Sequence, residues 1–354
     1  MNVTINRLPT RTWNRLGMNE SELSLEEDFT PYTPLAQWDK AQLLWQPDAA
    51  YTVPARFSLG NELESVTAAA GTDLAQTAAD TVMTQPLLLT YRYAQGSCNA
   101  SRLVLHAKKG STLKAVLLLR SEGSEDTSAL CTEIIAEENA RVELYVAQLL
   151  AGSSLCLNEI TGVCSKNAQV TLTRLELGAG RLYAGAQLDL QGEGSSFNAQ
   201  IGYHAKEGQL LDMNYNAVHW GKHTQSLMEA DGTLEDGSKK IFRGTIDFKP
   251  GCAGAKGNES ENVLLLGDEM VNQTIPLILC AEEDVEGNHG ASIGRLDEKV
   301  LFYLSTRGIS EEAAQQMIAR SRIEAICGKC PVQAVQDEIH SFEMKRGLWD
   351  ESEL

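Results

Sequence analysis

Cys327-Gly328-Lys329-Cys330 is a CxxC pair. Two thiols at this spacing bind a soft divalent metal or cycle as a disulfide. Zinc needs two further ligands, and the chain has no second CxxC to supply them. A thioredoxin-like pair sits at a helix start, whereas this one falls at a predicted helix end. Two thiols at an interhelical junction is the plain alternative. His289 stands alone in Gly287-Asn288-His289-Gly290, where an imidazole serves as a metal ligand, a proton carrier or a turn-bonding side chain. His219 and His223 lie four apart, a helical zinc spacing, but their flanks read as strand and turn and lack the adjacent glutamate. His106 and His204 are single histidines in predicted strands. Gly251-Cys252-Ala253-Gly254-Ala255-Lys256-Gly257 lacks the GK(S/T) ending of a phosphate loop and reads as a corner. There is no Ser/His/Asp order, no supported acid pair and no nucleotide fingerprint.

The elements that must carry these residues change character along the chain. From about Leu87, polar and apolar residues alternate, as in Arg102-Leu103-Val104-Leu105-His106 and Val170-Thr171-Leu172-Thr173-Arg174-Leu175. Period two with aliphatic residues predicts half-buried strands. Similar corners precede these strands: Lys109-Gly110-Ser111, Glu138-Asn139-Ala140, Lys166-Asn167-Ala168 and Glu193-Gly194-Ser195. Their central Gly or Asn recurs every 27–29 residues, and both types tolerate a left-handed backbone. A polar corner and an alternating strand at fixed spacing predict stacked β-coils, with a β-sandwich as the alternative.

After Ile293 the period becomes helical, with Leu296, Val300 and Leu304 on one face. Gly308 ends that helix and Ser310 caps the next, with Glu311 and Glu312 in its first turn. A last helix is expected over 331–345, with Pro331 in its first turn. The expected divisions are a mixed, partly helical region over 1–85, a β-coil core over 86–292 and a helical domain over 293–354.

Lys plus Arg is 30 against 48 Asp plus Glu, a net charge of −18. That balance argues against nucleic acid and against an anionic membrane surface as partners. Apolar runs such as 115–119 and 263–266 are strand-length, too short to span a bilayer. Residues 1–9 show no signal-peptide pattern, and eight scattered cysteines suit reduced thiols in a cytoplasm.

Over 242–310 the chain reads FRGTIDFKPG, then ENVLLLGDEMVNQTIPLILCAEEDV, then NHGASIGRLDEKVLFYLSTRGIS. This run resembles the C-terminal core of the SufB/SufD family of iron–sulfur cluster assembly scaffolds, in its SufD-like branch. The resemblance implies a right-handed parallel β-helix with a mixed N-terminal region and a C-terminal helical domain. It implies a non-enzymatic scaffold that pairs with a B-type subunit or with itself, through the β-helix edge near 260–292. It also implies a SufC-like ABC-type ATPase received by the helical domain, at Phe302, Tyr303, Arg307, Gly308 and Ser310. His289 matches a histidine implicated in iron or cluster handling. The branch's cysteine two residues earlier is here Gly287, leaving Cys280 as the nearby thiol for a metal site with His289. The B-type positions for a cysteine and a glutamate are Glu261 and Asn288. The implied cofactor state is therefore no cluster held stably by this chain alone, with a transient iron–sulfur cluster at a scaffold interface. A structural adaptor without a metal role is one alternative. A polysaccharide-acting β-helix enzyme is another, though 6% aromatic residues offer little for sugar stacking.

Overall fold

Each of the four expected corners adopts the left-handed conformation that its residue type allows. In the computed structural model φ is +69° at Gly110, +58° at Asn139, +54° at Asn167 and +69° at Gly194. Each corner amide donates to a carbonyl one coil further on: Gly110 to Glu138, Asn139 to Lys166, Asn167 to Glu193 and Gly194 to Lys222. The ladder continues through His223 and Gly254, also at positive φ, whose amides donate to Ala253 and Asp284. His223 is thus a corner residue, as is the glycine-rich turn around Gly254. The structure describes residues 2–12, 14–25, 28–49, 63–68 and 70–347.

Between corners the chain runs as parallel strands in two facing sheets, making about eight coils among the described residues. One sheet runs from Thr72–Thr77 to Val271–Cys280, the other from Leu87–Tyr93 to Val285–Gly294. Leu155 pairs with Arg181 and Lys239 with Val271, so the coil length varies from 26 to 32 residues. The fold is a parallel β-helix, as expected, and not a sandwich of antiparallel sheets. No helix among the described residues is long and apolar enough to cross a membrane.

Period two places alternate side chains in the space between the sheets. Leu113, Ala115, Leu117 and Leu119 are buried there, with Val142, Leu144 and Val146 one coil on. Fully burying such side chains stabilises the fold by roughly 1.5–3 kcal/mol each. The outward rows are also covered. On the first sheet, the hairpin Asn2–Ile5 with Ser21–Ser24 lays Val3, Ile5 and Leu23 over Ala100, Ala129 and Leu157. Its polar anchor is the buried Arg243–Asp212 ion pair. Asn6 donates to Asp212 (2.8 Å) and Arg243 to the Met18 carbonyl (2.9 Å). Over 1–85 the described residues form mainly short strands, with one 3-10 turn at Asn14–Leu16 and one helical turn at Leu63–Val66. Residues 50–62 lie outside the described set.

On the second sheet, the helices Glu311–Cys327 and Gln333–Lys345 pack Ile323, Ile326, Val335 and Ile339 onto Val116, Leu118, Tyr145 and Leu175. The last helix starts after Val332, so Pro331 precedes it and does not occupy its first turn. Its far end is latched by polar groups. Buried Glu343 meets His204 at 3.3 Å, and Arg346 donates to Gln209 at 2.8 Å.

The asparagine corners generate a first prediction. Asn167 also donates to the Asn139 side chain at 3.1 Å, one coil back. Asn167→Val forces a β-branched side chain into a left-handed site and should lower stability in urea by about 1–2 kcal/mol. Asn167→Gly should stay within about 1 kcal/mol of the parent. Equal losses for the two variants would show that the corner backbone is not the constraint.

Candidate functional site

The two ends of the β-helix differ. At the first, Leu43–Ala49 pairs antiparallel with Thr72–Thr77, and Leu35–Gln37 pairs with Leu87–Tyr93, so both sheet edges are covered. At the other, Val271–Cys280 and Val285–Gly294 each pair on one side only among the described residues. The final strand is exposed along nearly its whole length. Two parallel edges with unpaired backbone groups are thus presented side by side.

Register shows which residues face the space between these edges. His289 pairs with Glu259, Gly287 with Gly257 and Ala291 with Glu261. Glu259 and Glu261 are buried between the sheets, so His289 occupies the inward row at the mouth. On the facing sheet, Cys280 pairs with Phe248 and Ile278 with Ile246, both core residues, so Cys280 also stands in an inward row. The two candidate donors lie on opposite sheets, and both are exposed. The Cys280 thiol donates to the Glu282 carbonyl at 3.1 Å. A Cβ at Gly287 would meet the Phe248 ring at 3.0 Å, so this row packs tightly against the core at the position where the related branch has cysteine.

Beneath the mouth lies a charged cluster. Lys240 and Glu261 form a fully buried ion pair. Lys240 donates to Thr274 at 3.0 Å, and Thr274 and Tyr203 donate to Glu261 at 2.6 and 3.0 Å. Glu259 lies beside this group without a protein partner for its Oε1. Burial, reinforced by the Glu261 charge and only partly offset by Lys240, raises its carboxyl to about 7. The mouth therefore offers an imidazole, a thiol and a carboxyl poised near neutrality. Among the described residues it does not bring three such donor atoms within 4.8 Å of one another. The donor set is sparse for holding a metal within one chain.

Beyond the final strand, the helix Glu298–Ser305 is capped by Asp297, which accepts from the Lys299 amide at 2.7 Å. Phe302 and Tyr303 are adjacent on this helix, and both are exposed, Phe302 by 71% and Tyr303 by 55%. The helix is eight residues long and buries none of its side chains, so neither ring finds a core to enter. Arg307 stacks over the Tyr303 ring at 5.1 Å. Gly308 adopts φ +85°, which lets the Ile309 amide return to the Leu304 carbonyl at 3.2 Å. Ser310 caps the next helix by accepting from the Ala313 amide at 3.1 Å. Val300, Phe302 and Tyr303 on this helix, and Met317 on the next, are large apolar side chains left exposed.

Three of the histidines in the coils, His106, His204 and His219, are held by neighbouring side chains. His219 is buried and shares hydrogen bonds with the Thr224 and Ser226 hydroxyls at 2.8 and 2.9 Å; burial pushes it down to about 4. His106 meets Glu137 at 2.9 Å. The sequence reading missed Glu259, Lys240, Tyr203 and Thr274. The coil spacing carries the signal, since Glu259 lies one coil before His289 and in its row.

Glu259 makes stability depend on pH. In the folded chain it keeps its proton up to about pH 7, against 4.5 for the ordinary group. The folded state holds the extra proton between those values, so stability is full below the lower one and falls as pH rises through 7. Glu259→Gln should remove this slope. Urea midpoints of parent and variant should converge near pH 4.5, with the variant more stable by on the order of 3 kcal/mol at pH 8. Parallel curves would rule out a buried, raised carboxyl.

A family model described as the SufBD core domain of SUF-system FeS cluster assembly matches residues 91–322. The chain is 28% identical over 218 residues to an iron–sulfur cluster assembly SufBD family protein of Staphylococcus saprophyticus, covering 61% of this chain and 47% of that one. It is 23% identical over 213 residues to the iron–sulfur cluster assembly protein SufD of Bacillus subtilis, covering 60% and 49%. A SufBD family protein of Staphylococcus epidermidis is 27% identical over 276 residues, covering 69% and 59%. The chain spans about half the length of the curated relatives it matches. Because the family model takes in well over half of its residues, across the coils and the start of the helices, this chain belongs to the SufBD core family.

Proposed function

We propose that this chain is a scaffold subunit in iron–sulfur cluster assembly, without catalytic activity of its own, and that the open end of its β-helix is where it joins a second scaffold. The observation that carries this reading is the pair of unpaired strand edges flanking an incomplete inward donor set. A second chain laid along the edges would satisfy their backbone groups. It would also bring further donors to His289 and Cys280, and a cluster bridged there would be cargo held at the interface and not a resident cofactor. A B-type scaffold is the proposed partner, with a second copy of this chain as the alternative. The names of the relatives support the assembly role, and the free cysteines suit a reducing cytoplasm. An adaptor without a metal role would need the same edges but not the inward histidine and thiol.

The second proposed partner is a SufC-like ABC-type ATPase, received on the patch of Phe302, Tyr303 and Arg307 beside Gly308 and Ser310. Exposed aromatic side chains with a stacked arginine have the composition of an interface anchor.

Anaerobic co-expression with a B-type scaffold and an ABC-type ATPase, with iron and sulfide assayed on the purified assembly, tests the scaffold reading. His289→Ala with Cys280→Ser should lower bound iron at least tenfold while the assembly keeps its size by gel filtration. Retained iron would remove the mouth from cluster handling, and failure of any assembly would overturn the scaffold reading itself.

Tyr303→Ala with Arg307→Ala should weaken ATPase binding at least tenfold by calorimetry, about 1.4 kcal/mol, with circular dichroism unchanged. Unaltered affinity would eliminate this patch as the ATPase surface.

A further inference from the structure

We propose that Glu324, Cys327 and His340, completed by Cys330, form a zinc-type metal site that clips the two C-terminal helices together. The CxxC by itself is two ligands short of a zinc site. Tertiary structure supplies them. The helix Glu311–Cys327 ends in the CxxC, the chain turns, and Gln333–Lys345 returns alongside it. His340 thereby meets Cys327, with Nε2 3.6 Å from Sγ, and Glu324, with Nε2 3.0 Å from Oε1. Glu324 lies one helical turn before Cys327 and so on the same face. The three donor atoms all lie within 4.8 Å of one another. Tetrahedral zinc with bonds of about 2.0–2.3 Å holds its ligands roughly 3.5 Å apart, so the cluster needs only small shifts to close on an ion. Cys330 sits in the same turn, its amide donating to the Cys327 carbonyl at 2.9 Å. Its thiol now faces the Val332 carbonyl at 3.7 Å, and a side-chain rotation would turn it toward the group.

The surroundings favour a cation over a redox pair. Both thiols are buried, which shields the pair from exchange with other thiols in solution. Cys327 also closes a helix C-terminus, whose partial negative charge opposes a bare thiolate but stabilises a bound cation. A divalent ion displaces the thiol proton and takes its place as the balancing charge. The ion has a way in: the His340 and Glu324 side chains remain 34% and 40% exposed above the buried sulfur. An imidazole, a carboxylate and two thiols select a borderline-soft ion such as Zn²⁺, not Mg²⁺ or Ca²⁺. The helices it would join are those packed on the second sheet, with Tyr145 donating to the Ile326 carbonyl beside the site at 3.3 Å. The site belongs to this chain alone and does not rest on the partners proposed above.

The test uses the full chain, kept reduced and stripped with a chelator, then titrated with Co²⁺ and back-titrated with Zn²⁺. One equivalent of Co²⁺ should give a thiolate-to-cobalt charge-transfer band with visible d–d bands, both abolished as Zn²⁺ displaces it. Cys327→Ser and His340→Gln should each weaken Zn²⁺ binding by at least about 100-fold, and Glu324→Gln by about tenfold. Cys280→Ser and His289→Ala should leave binding unchanged, which separates this site from the mouth. Saturating Zn²⁺ should raise the melting temperature of the parent chain but not of His340→Gln. His340 is partly exposed, so that variant carries the test should Cys327→Ser fail to fold. Absence of the charge-transfer band, or Zn²⁺ binding indifferent to His340→Gln, would overturn the proposal. A Cys327–Cys330 disulfide forming on oxidation in a chain that takes up no Zn²⁺ would overturn it in favour of a redox pair.

Discussion

A β-coil cannot satisfy its own backbone. Each strand exposes hydrogen-bonding groups along both edges, and the neighbouring coils are the partners that share its register. The corner amides obey the same constraint, since Gly110, Asn139, Asn167 and Gly194 donate to carbonyls of the following coil and not to their own. Stacking is therefore compulsory, and every stack must either be closed or left open at its ends. Here the first end is closed by antiparallel strands, while among the described residues the last two strands keep free edges. This asymmetry gives the molecule one face suited to strand-mediated pairing.

Between the sheets most inward rows are aliphatic, but charge also enters them: the buried Arg174–Glu176 ion pair in mid-stack, and Lys240, Glu259 and Glu261 nearer the open end. A buried ion pair gains little net stability over a hydrophobic one of equal volume, because desolvation offsets most of the attraction. Lys240 and Glu261 are held by Thr274 and Tyr203, so their hydrogen-bonding capacity is largely used. Glu259 is not so supported and shifts toward its neutral form.

The C-terminal helices are bound to the coils by two different means. Apolar packing of Ile323, Ile326 and Ile339 on the second sheet supplies the area. The His204, Glu343 and Arg346 group sets the position of the last helix, because charged groups without their partners there would be buried alone. The short helix Glu298–Ser305 lies outside both devices, which is why its aromatic side chains stay in solvent.

The local order of the chain was legible in its sequence. Left-handed corners are restricted by sterics to a few residue types, so Gly and Asn at a 27–29-residue spacing mark them without reference to the fold. Period-two strands and the Ser310 cap are likewise short-range properties. The N-terminal region was less readable, since its short strands alternate weakly and take their partners from distant strands or from each other. Sequence also singled out His289 and Cys280, but only register placed both in inward rows of opposite sheets. Phe302 and Tyr303 look like core residues from their type alone, and their exposure followed from what lies beside the helix. Cys327 and Cys330 were visible as a pair, whereas His340 joined them only because one helix returns along another. Backbone preferences act over a few residues and can be read from them. The meeting of residues separated by one coil or one helical hairpin depends on packing, which the tertiary structure alone decides.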